Sequence, residues 1–429
     1  MQPLVQKFGE LSNSEIARYG RHLIMPEFGI EGQRRMKAAS VLIIGTGGLG
    51  SPVALYLAAA GVGRIGLVDY DVVDESNLQR QIVHGISTVG MLKVESAAQR
   101  LRDLNPDIQL DLYNEPLTSD NAIEMMTPYD IIIDGTDNFP TRYLVNDACV
   151  KLGKPNVYGS ILRFDGQLSV FYAKEGPCYR CMFPEPPPPG LVPNCAEAGV
   201  LGVLPGIIGT MQATEAIKLI TGIGEPMVGR MILYDALEMS FTPIKIRKDV
   251  HCPVCGIPAE QVVLIDYEAF CGVPAHDHST PAGQAATISA NGKSHNGSHG
   301  DVSNASAPIP QITAVDLKQR IDAGDNLYIL DVRNPEEWAI SALEDTVKIP
   351  KPDIVLAVED VLSKRKTAEQ TVLAEIPRDR EVIVHCRSGI RSTDVIKLLR
   401  QVGYENVLVN LEGGILAWAK YVDTTMPSY

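Results

Sequence analysis

Ser40-Val41-Leu42-Ile43-Ile44-Gly45-Thr46-Gly47-Gly48-Leu49-Gly50-Ser51 decides the fold. Ser40–Ile44 ends in four consecutive aliphatic residues with no polar position between them, which predicts a strand buried on both faces. Four glycines in the next six positions predict a tight turn, and Ser51–Ala60, with Pro52 in its first turn, predicts a helix. A Gly-x-Gly-x-x-Gly turn between strand and helix aims backbone N–H groups and the helix N-terminus at phosphate. Working outward, the strand Ile65–Val68 runs into Asp69, 24 residues after Gly45, where a carboxylate is placed to accept from a ribose. Residues 39–63 carry no charge and are long enough to span a bilayer. Six glycines among those 25 residues, with Pro52 in the middle, favour the strand, turn and helix instead.

Taken alone, the glycine turn fits a nicotinamide dinucleotide as well as ATP. A phosphate-loop ATPase is disfavoured, because the nearest match, Gly85 to Gly90, continues with Met91 where lysine is required. The following segment favours a triphosphate. Ser76-Asn77-Leu78-Gln79-Arg80-Gln81 and then Lys93 supply amides and two cations, which neutralise an α-phosphate and a pyrophosphate leaving group during nucleotidyl transfer. After the strand Ile131–Asp134, the run Asp134-Gly135-Thr136-Asp137-Asn138 adds carboxylates suited to Mg²⁺. The bland alternative is that Arg80 and Lys93 form surface ion pairs and Asp137 caps a helix.

These motifs, together with Arg18-Tyr19 and Arg21, resemble the adenylation domain shared by ubiquitin-activating enzymes and the bacterial activator of molybdopterin synthase, over most of residues 12–270. The resemblance implies a Rossmann-like α/β domain in which ATP adenylates the C-terminal glycine of a ubiquitin-like protein. It implies Gly48 at the phosphates and Asp69 at the ribose, with Ser76, Asn77, Leu78, Gln79, Arg80 and Lys93 around the triphosphate. It also implies Asp137 and Asn138 beside Mg²⁺, and Arg21 reaching into a neighbouring subunit's site, hence a homodimer through this domain.

Cys178-Tyr179-Arg180-Cys181 and Cys252-Pro253-Val254-Cys255 are two C-x-x-C pairs separated by 70 residues. Two matched knuckles supply a closed tetrahedral S₄ set and predict one structural Zn²⁺; four reduced thiols are the alternative. Cys195, in Asn194-Cys195-Ala196-Glu197-Ala198-Gly199 beyond the proline run Pro186–Pro189, is expected on a stiff, exposed loop, where a thiol can react. No neighbouring base is evident, and its catalytic role is implied by the resemblance. Cys149 and Cys271 read as bystanders.

In the C-terminal part, Glu381–His385 predicts a strand and Ser392–Val402 a helix, with Leu327–Val332 an earlier strand. The loop between them, Cys386-Arg387-Ser388-Gly389-Ile390-Arg391, turns successive N–H groups and a helix dipole toward a sulfur anion. A cysteine phosphatase spaces its cysteine and arginine by five residues; the gap of four here makes a tighter ring, suited to one terminal sulfur. With Asp331-Val332-Arg333-Asn334-Pro335-Glu336-Glu337-Trp338, and with Leu411-Glu412-Gly413-Gly414-Ile415 and Trp418, the segment 310–425 resembles a single rhodanese domain. That implies a persulfide on Cys386. Some eukaryotic relatives carry an acid at the position of Arg391, so arginine here implies a preference for anionic donors such as thiosulfate.

The chain has 429 residues, enough for two to three domains, with a formal charge of −14. Such a surface opposes stable nucleic-acid binding. Eight cysteines are too few for a disulfide scaffold, and the N-terminus has no signal-like apolar core, so a cytosolic enzyme is expected. From Ser279 to Pro308 only Lys293 and Asp301 are charged and no residue is aromatic; four histidines, His276, His278, His295 and His299, fall in or beside this stretch. It reads as a flexible tether, 273–308, between units 1–272 and 309–429. As a whole the chain resembles the eukaryotic two-domain adenylyltransferase and sulfurtransferase family. The resemblance implies a ubiquitin-like sulfur-carrier partner, a cysteine desulfurase or other sulfur donor, and roles in wobble-uridine 2-thiolation of tRNA and molybdenum cofactor synthesis. The alternatives are thioester transfer of the modifier to proteins, an NAD-linked oxidoreductase, and a non-catalytic scaffold.

Overall fold

The computed structural model describes residues 2–188, 199–275, 308–404 and 407–427. Cys195 and most of the expected tether, 276–307, lie outside the described residues. Contacts divide the chain into two units, Met1–Ser294 and His295–Tyr429.

The first unit is built on eight strands: β1 Ser40–Ile44, β2 Arg64–Val68, β3 Gln109–Tyr113, β4 Ile131–Asp134, β5 Asn156–Leu162, β6 Asp165–Phe171, β7 Arg230–Asp235 and β8 Ser240–Lys245. Their order in the sheet is β3-β2-β1-β4-β5-β6-β7-β8. β1 to β5 pair in parallel, and β6, β7 and β8 continue antiparallel. The aliphatic run of β1 follows from its central place. Val41 and Ile43 enter one core with the helices Gly50–Ala59 and Leu204–Thr221, while Leu42 and Ile44 enter the opposite core with the helix Phe139–Leu152. The strand order reverses between β1 and β4, and ligands of open α/β sheets bind in the crevice beyond the strand ends at such a point.

The second unit is a five-stranded parallel sheet: β9 Gln311–Ile312, β10 Ile329–Asp331, β11 Val347–Lys348, β12 Val382–His385 and β13 Leu408–Leu411, in the order β11-β10-β12-β13-β9. Ile383 and Val409 pack to one side and Val384 and Leu408 to the other, which again explains continuous apolar strands. Among the described residues no helix is long and apolar enough to cross a membrane. The uncharged stretch at 39–63 is accordingly β1, the glycine turn and the helix Gly50–Ala59.

Candidate functional site

The glycine turn leaves β1 at the reversal point. Gly45 has φ +89°, and a Cβ there would come within 2.9 Å of the Gly135 carbonyl oxygen, so the loops after β1 and β4 touch backbone to backbone. A Cβ on Gly48 would meet Pro205 at 3.2 Å and the Arg80 side chain at 3.7 Å, which brings that arginine over the turn. Asp69 ties the turn down: its Oδ2 accepts from the Thr46 amide and hydroxyl, both at 2.9 Å.

Lys93 is buried and donates to Asp71 at 2.8 Å. Burial alone pulls its pKa down, but the carboxylates of Asp69, Asp71 and Asp137 outweigh it and hold the ammonium charged. Lys93 is therefore no surface ion pair; it is a cation kept among three acids beside the glycine turn.

Other expected residues have local structural duties. Asp74 accepts from the Ser76 amide and hydroxyl at 2.8 and 2.5 Å, and Asn77 Oδ1 accepts from the Asp74 amide at 3.3 Å, closing a short capped turn. This turn presents Leu78, Gln79 and Arg80; a Cβ on Gly202 would meet the Gln79 carbonyl oxygen at 2.3 Å. Asn138, not Asp137, caps the helix Phe139–Leu152, through the Thr141 amide at 2.9 Å. Asp137 is exposed, and Arg21 is exposed in the short helix Gly20–Leu23.

Two neighbours escaped the sequence reading. His84 is buried: its Nε2 donates to the Thr46 carbonyl at 3.1 Å and its Nδ1 meets the Ser96 hydroxyl at 2.9 Å. Burial depresses its pKa, which keeps the ring neutral. Across a trans peptide the Gly47 N–H points opposite to the Thr46 carbonyl, so His84 turns that amide away from itself. Arg142, buried, lies 3.8 Å from Asp134 and donates to the Thr136 carbonyl at 3.2 Å, bracing the loop after β4.

The sulfurs of Cys178, Cys181, Cys252 and Cys255 all lie within 4.8 Å of one another. Three of the separations are 3.9, 3.5 and 3.3 Å. A tetrahedron with Zn–S bonds of about 2.3 Å has edges of about 3.8 Å, so the set fits a zinc ion. Between the first two cysteines, Arg180 grips Asp147 through two hydrogen bonds of 3.0 and 2.7 Å, and Tyr267 donates to the same carboxylate at 2.8 Å. The knuckle is thereby anchored to the helix that Asn138 caps. Cys149 and Cys271 are buried; burial raises both thiols, that of Cys271 to about 11.

In the second unit Cys386 is buried at the end of β12. Its sulfur accepts from the Gly389 amide at 3.1 Å and lies 3.5 Å from the Ser392 hydroxyl. Gly389 caps the helix Ile390–Gln401 with φ +95°, which brings its N–H back over the sulfur. Arg387 is half-buried, while Ser388 and Ile390 are exposed. Arg391 differs from expectation: it makes a bidentate pair with Glu337 at 2.6 and 2.7 Å. Its charge is matched inside the fold, which weakens the expectation that it selects anionic donors. Beneath the loop, Arg333 and Asp331, both fully buried, form a second bidentate pair, and His385 Nε2 lies 3.6 Å from Asp331.

The profile of the ThiF family matches residues 19–254 and that of the rhodanese-like domain matches residues 313–421. The chain belongs to the ThiF family. Its similarity to other ThiF proteins extends over both units. It is 46% identical over 433 residues to the probable adenylyltransferase/sulfurtransferase MoeZ of Mycobacterium tuberculosis, covering 100% of this chain and 99% of that one. It is 41% identical over 424 residues to the adenylyltransferase and sulfurtransferase MOCS3 of Aedes aegypti, covering 98% and 90%. The first unit is 54% identical over 267 residues to the sulfur carrier protein adenylyltransferase of Thermus thermophilus, 61% of this chain and 98% of that one. A crystal structure of E. coli MccB shares the fold with a TM-score of 0.52 at 23% identity, covering 58% of this chain and 77% of that one. This ThiF chain is thus an enzyme, an adenylyltransferase joined to a sulfurtransferase.

Proposed function

We propose that the enzyme adenylates the C-terminal glycine of a ubiquitin-like sulfur carrier and then converts it to a thiocarboxylate. In this reading residues 1–272 form the adenylation domain, 273–308 the tether and 309–429 the rhodanese domain. The observation that supports adenylation most is Lys93, buried among Asp69, Asp71 and Asp137 beside a glycine turn that Arg80 overlies. A nicotinamide has little use for that cluster. A triphosphate does: Arg80 and Lys93 take up charge as pyrophosphate leaves, and the turn's amides hold the phosphates around Gly48. Asp69 faces the ribose, with Ser76, Asn77, Leu78 and Gln79 lining the site. Asp137 and Asn138 suit Mg²⁺, which when bound draws charge from the phosphates. Zn²⁺ on the four cysteines is structural. Arg21 completes the site of a second subunit in a homodimer.

The carboxylate of the carrier attacks the α-phosphorus of ATP, giving an acyl-adenylate and releasing pyrophosphate. The Cys386 persulfide, loaded by a desulfurase or another sulfane donor and held in the loop 387–391, attacks the acyl carbon and AMP leaves. An acyl disulfide results. The Cys195 thiolate attacks the Cys386 sulfur of that disulfide; the thiocarboxylate departs, and the Cys195–Cys386 disulfide then requires a reducing dithiol. Cytosolic thiolation of tRNA wobble uridine and molybdenum cofactor synthesis are the processes such a product serves. ATP–pyrophosphate exchange with a Gly-Gly-terminated carrier tests the reading. Exchange that needs the carrier and survives Cys386→Ser, while thiocarboxylate formation disappears, is the expected result. Absence of exchange with every such carrier would overturn the sulfur carrier as the substrate of the adenylation.

A further inference from the structure

Behind the reactive sulfur runs a chain of side chains that the sulfur chemistry above does not use. The Ser392 hydroxyl lies 3.5 Å from Cys386 Sγ and 2.6 Å from Asn410 Oδ1. The Asn410 amide nitrogen in turn lies 2.7 Å from Gln311 Oε1. Cys386, Ser392 and Asn410 are buried, whereas Gln311 is exposed. The four residues come from the loop just after β12, the helix Ile390–Gln401, β13 and β9, so the chain crosses the sheet to its edge.

A hydroxyl has a single proton. With Asn410 presenting its oxygen at 2.6 Å, that proton is held toward Asn410, with the Gly389 carbonyl a second acceptor at 3.0 Å, and the lone pairs of Ser392 are left for an S–H group. With the amide turned over, Asn410 donates to Ser392, and the hydroxyl proton becomes available to a sulfur anion. Gln311 Nε2 donates to the Ile309 carbonyl at 3.2 Å, which keeps its oxygen on the Asn410 nitrogen and favours the first orientation. We propose that Asn410 is a positioning residue for the Cys386 sulfur, acting through Ser392: its amide orientation switches the hydroxyl between accepting from the thiol and donating to the thiolate or persulfide. Only the word persulfide rests on the proposed function; the switch itself concerns thiol and thiolate. The charged groups on the surrounding elements are Arg387 and Arg391 in the loop, Glu337 on Arg391, His385, Asp331 and Arg333 below, and Glu412 after β13. None is changed in the variants that follow.

The test is the pH dependence of iodoacetamide alkylation of Cys386 in the full chain, read by mass spectrometry on the tryptic peptide 381–387. Asn410→Leu removes the competing acceptor at nearly constant shape and should move the alkylation midpoint down by about one pH unit, toward the thiolate. Ser392→Ala, which removes the donor itself, should move the midpoint up, and the double variant should match Ser392→Ala alone. Gln311→Glu, at the exposed end and harmless to folding, offers only acceptors. It should hold the Asn410 oxygen on Ser392 and raise the midpoint, but not in the Ser392→Ala background. An unchanged midpoint in Asn410→Leu, or a Gln311→Glu shift that persists without Ser392, would overturn the proposal. Sulfur loading of Cys386 from thiosulfate, scored separately by mass, distinguishes failure of the persulfide reading from failure of the switch.

Discussion

Glu337 and Arg391 meet through two parallel hydrogen bonds of 2.6 and 2.7 Å, both side chains largely buried, next to the loop that holds Cys386. Glu337 also accepts from the Asn334 amide at 3.0 Å, so the pair fastens the short helix Pro335–Trp338 to the reactive loop.

Removing either partner leaves a charge with its main counter-ion gone, which for buried pairs costs about 3 kcal/mol. Both tryptophans of the chain, Trp338 and Trp418, lie in the C-terminal unit, so their fluorescence follows that unit alone during urea unfolding of the whole protein. Glu337→Ala and Arg391→Ala should each lower its midpoint. The double variant should lose less than the two losses added together. Additive losses would mean that the pair contributes nothing as a pair.

His385 gives the same unit a pH dependence. Burial holds its folded pKa below the ordinary 6.5, so unfolded chains bind more protons than folded ones once the pH drops through that value. Stability present above about pH 6.5 therefore drains away as the pH falls toward 5. Asp331 acts lower: burial opposes its ionisation, but His385 and Arg333 hold it below the usual carboxylate range, so its contribution is lost only in stronger acid. Tryptophan-monitored urea midpoints should fall between pH 7.5 and 5, and His385→Asn should flatten that slope. A slope unchanged in the variant would assign the effect to other groups.

His84→Ala should raise the KM for ATP in pyrophosphate exchange about tenfold, the worth of one or two hydrogen bonds, by releasing the Thr46 carbonyl. The thermal midpoint of the first unit serves as the control. A KM equal to that of the wild type would show that the turn keeps its shape without the ring.

Metal analysis should find one zinc per chain, held by Cys178, Cys181, Cys252 and Cys255. Cys252→Ser should release it and lower the melting temperature of the first unit by about 10 °C, the shift that ~3 kcal/mol produces in a unit of this size. Metal retained by a Cys252→Ser, Cys255→Ser double variant would place it elsewhere.

What the sequence disclosed and what it withheld have physical causes. β1, the glycine turn and the helix after it were legible because aliphatic burial, glycine conformation and chain direction all act within a dozen residues. The predicted helix Ser51–Ala60 differs from Gly50–Ala59 by one position at each end. The four-cysteine cluster was legible because ligand spacing is local within each pair. The pairing of Arg391 was not legible because its partner lies 54 residues away, and only the packing of the C-terminal unit brings Glu337 to it. His84 and Asn410 carried no motif signal; their roles arise from the meeting of a side chain with a distant carbonyl or hydroxyl. Asn138 and Asn77 were read as ligand-binding groups, yet each also has a capping duty that a simple helix-start pattern would have disclosed.

The edge strand β9 is the first of its sheet to be synthesised and pairs with β13, where Gln311 lies opposite Asn410. On the ribosome, Gln311 must therefore wait for about a hundred further residues before it has a neighbour, a long loop to close late. A nascent chain that stops between Cys386 and Leu408 has the nucleophile but no β13 beside it. Products truncated in that interval thus carry the nucleophile without the surroundings that control it, and the sulfur centre is finished only once β13 has been made.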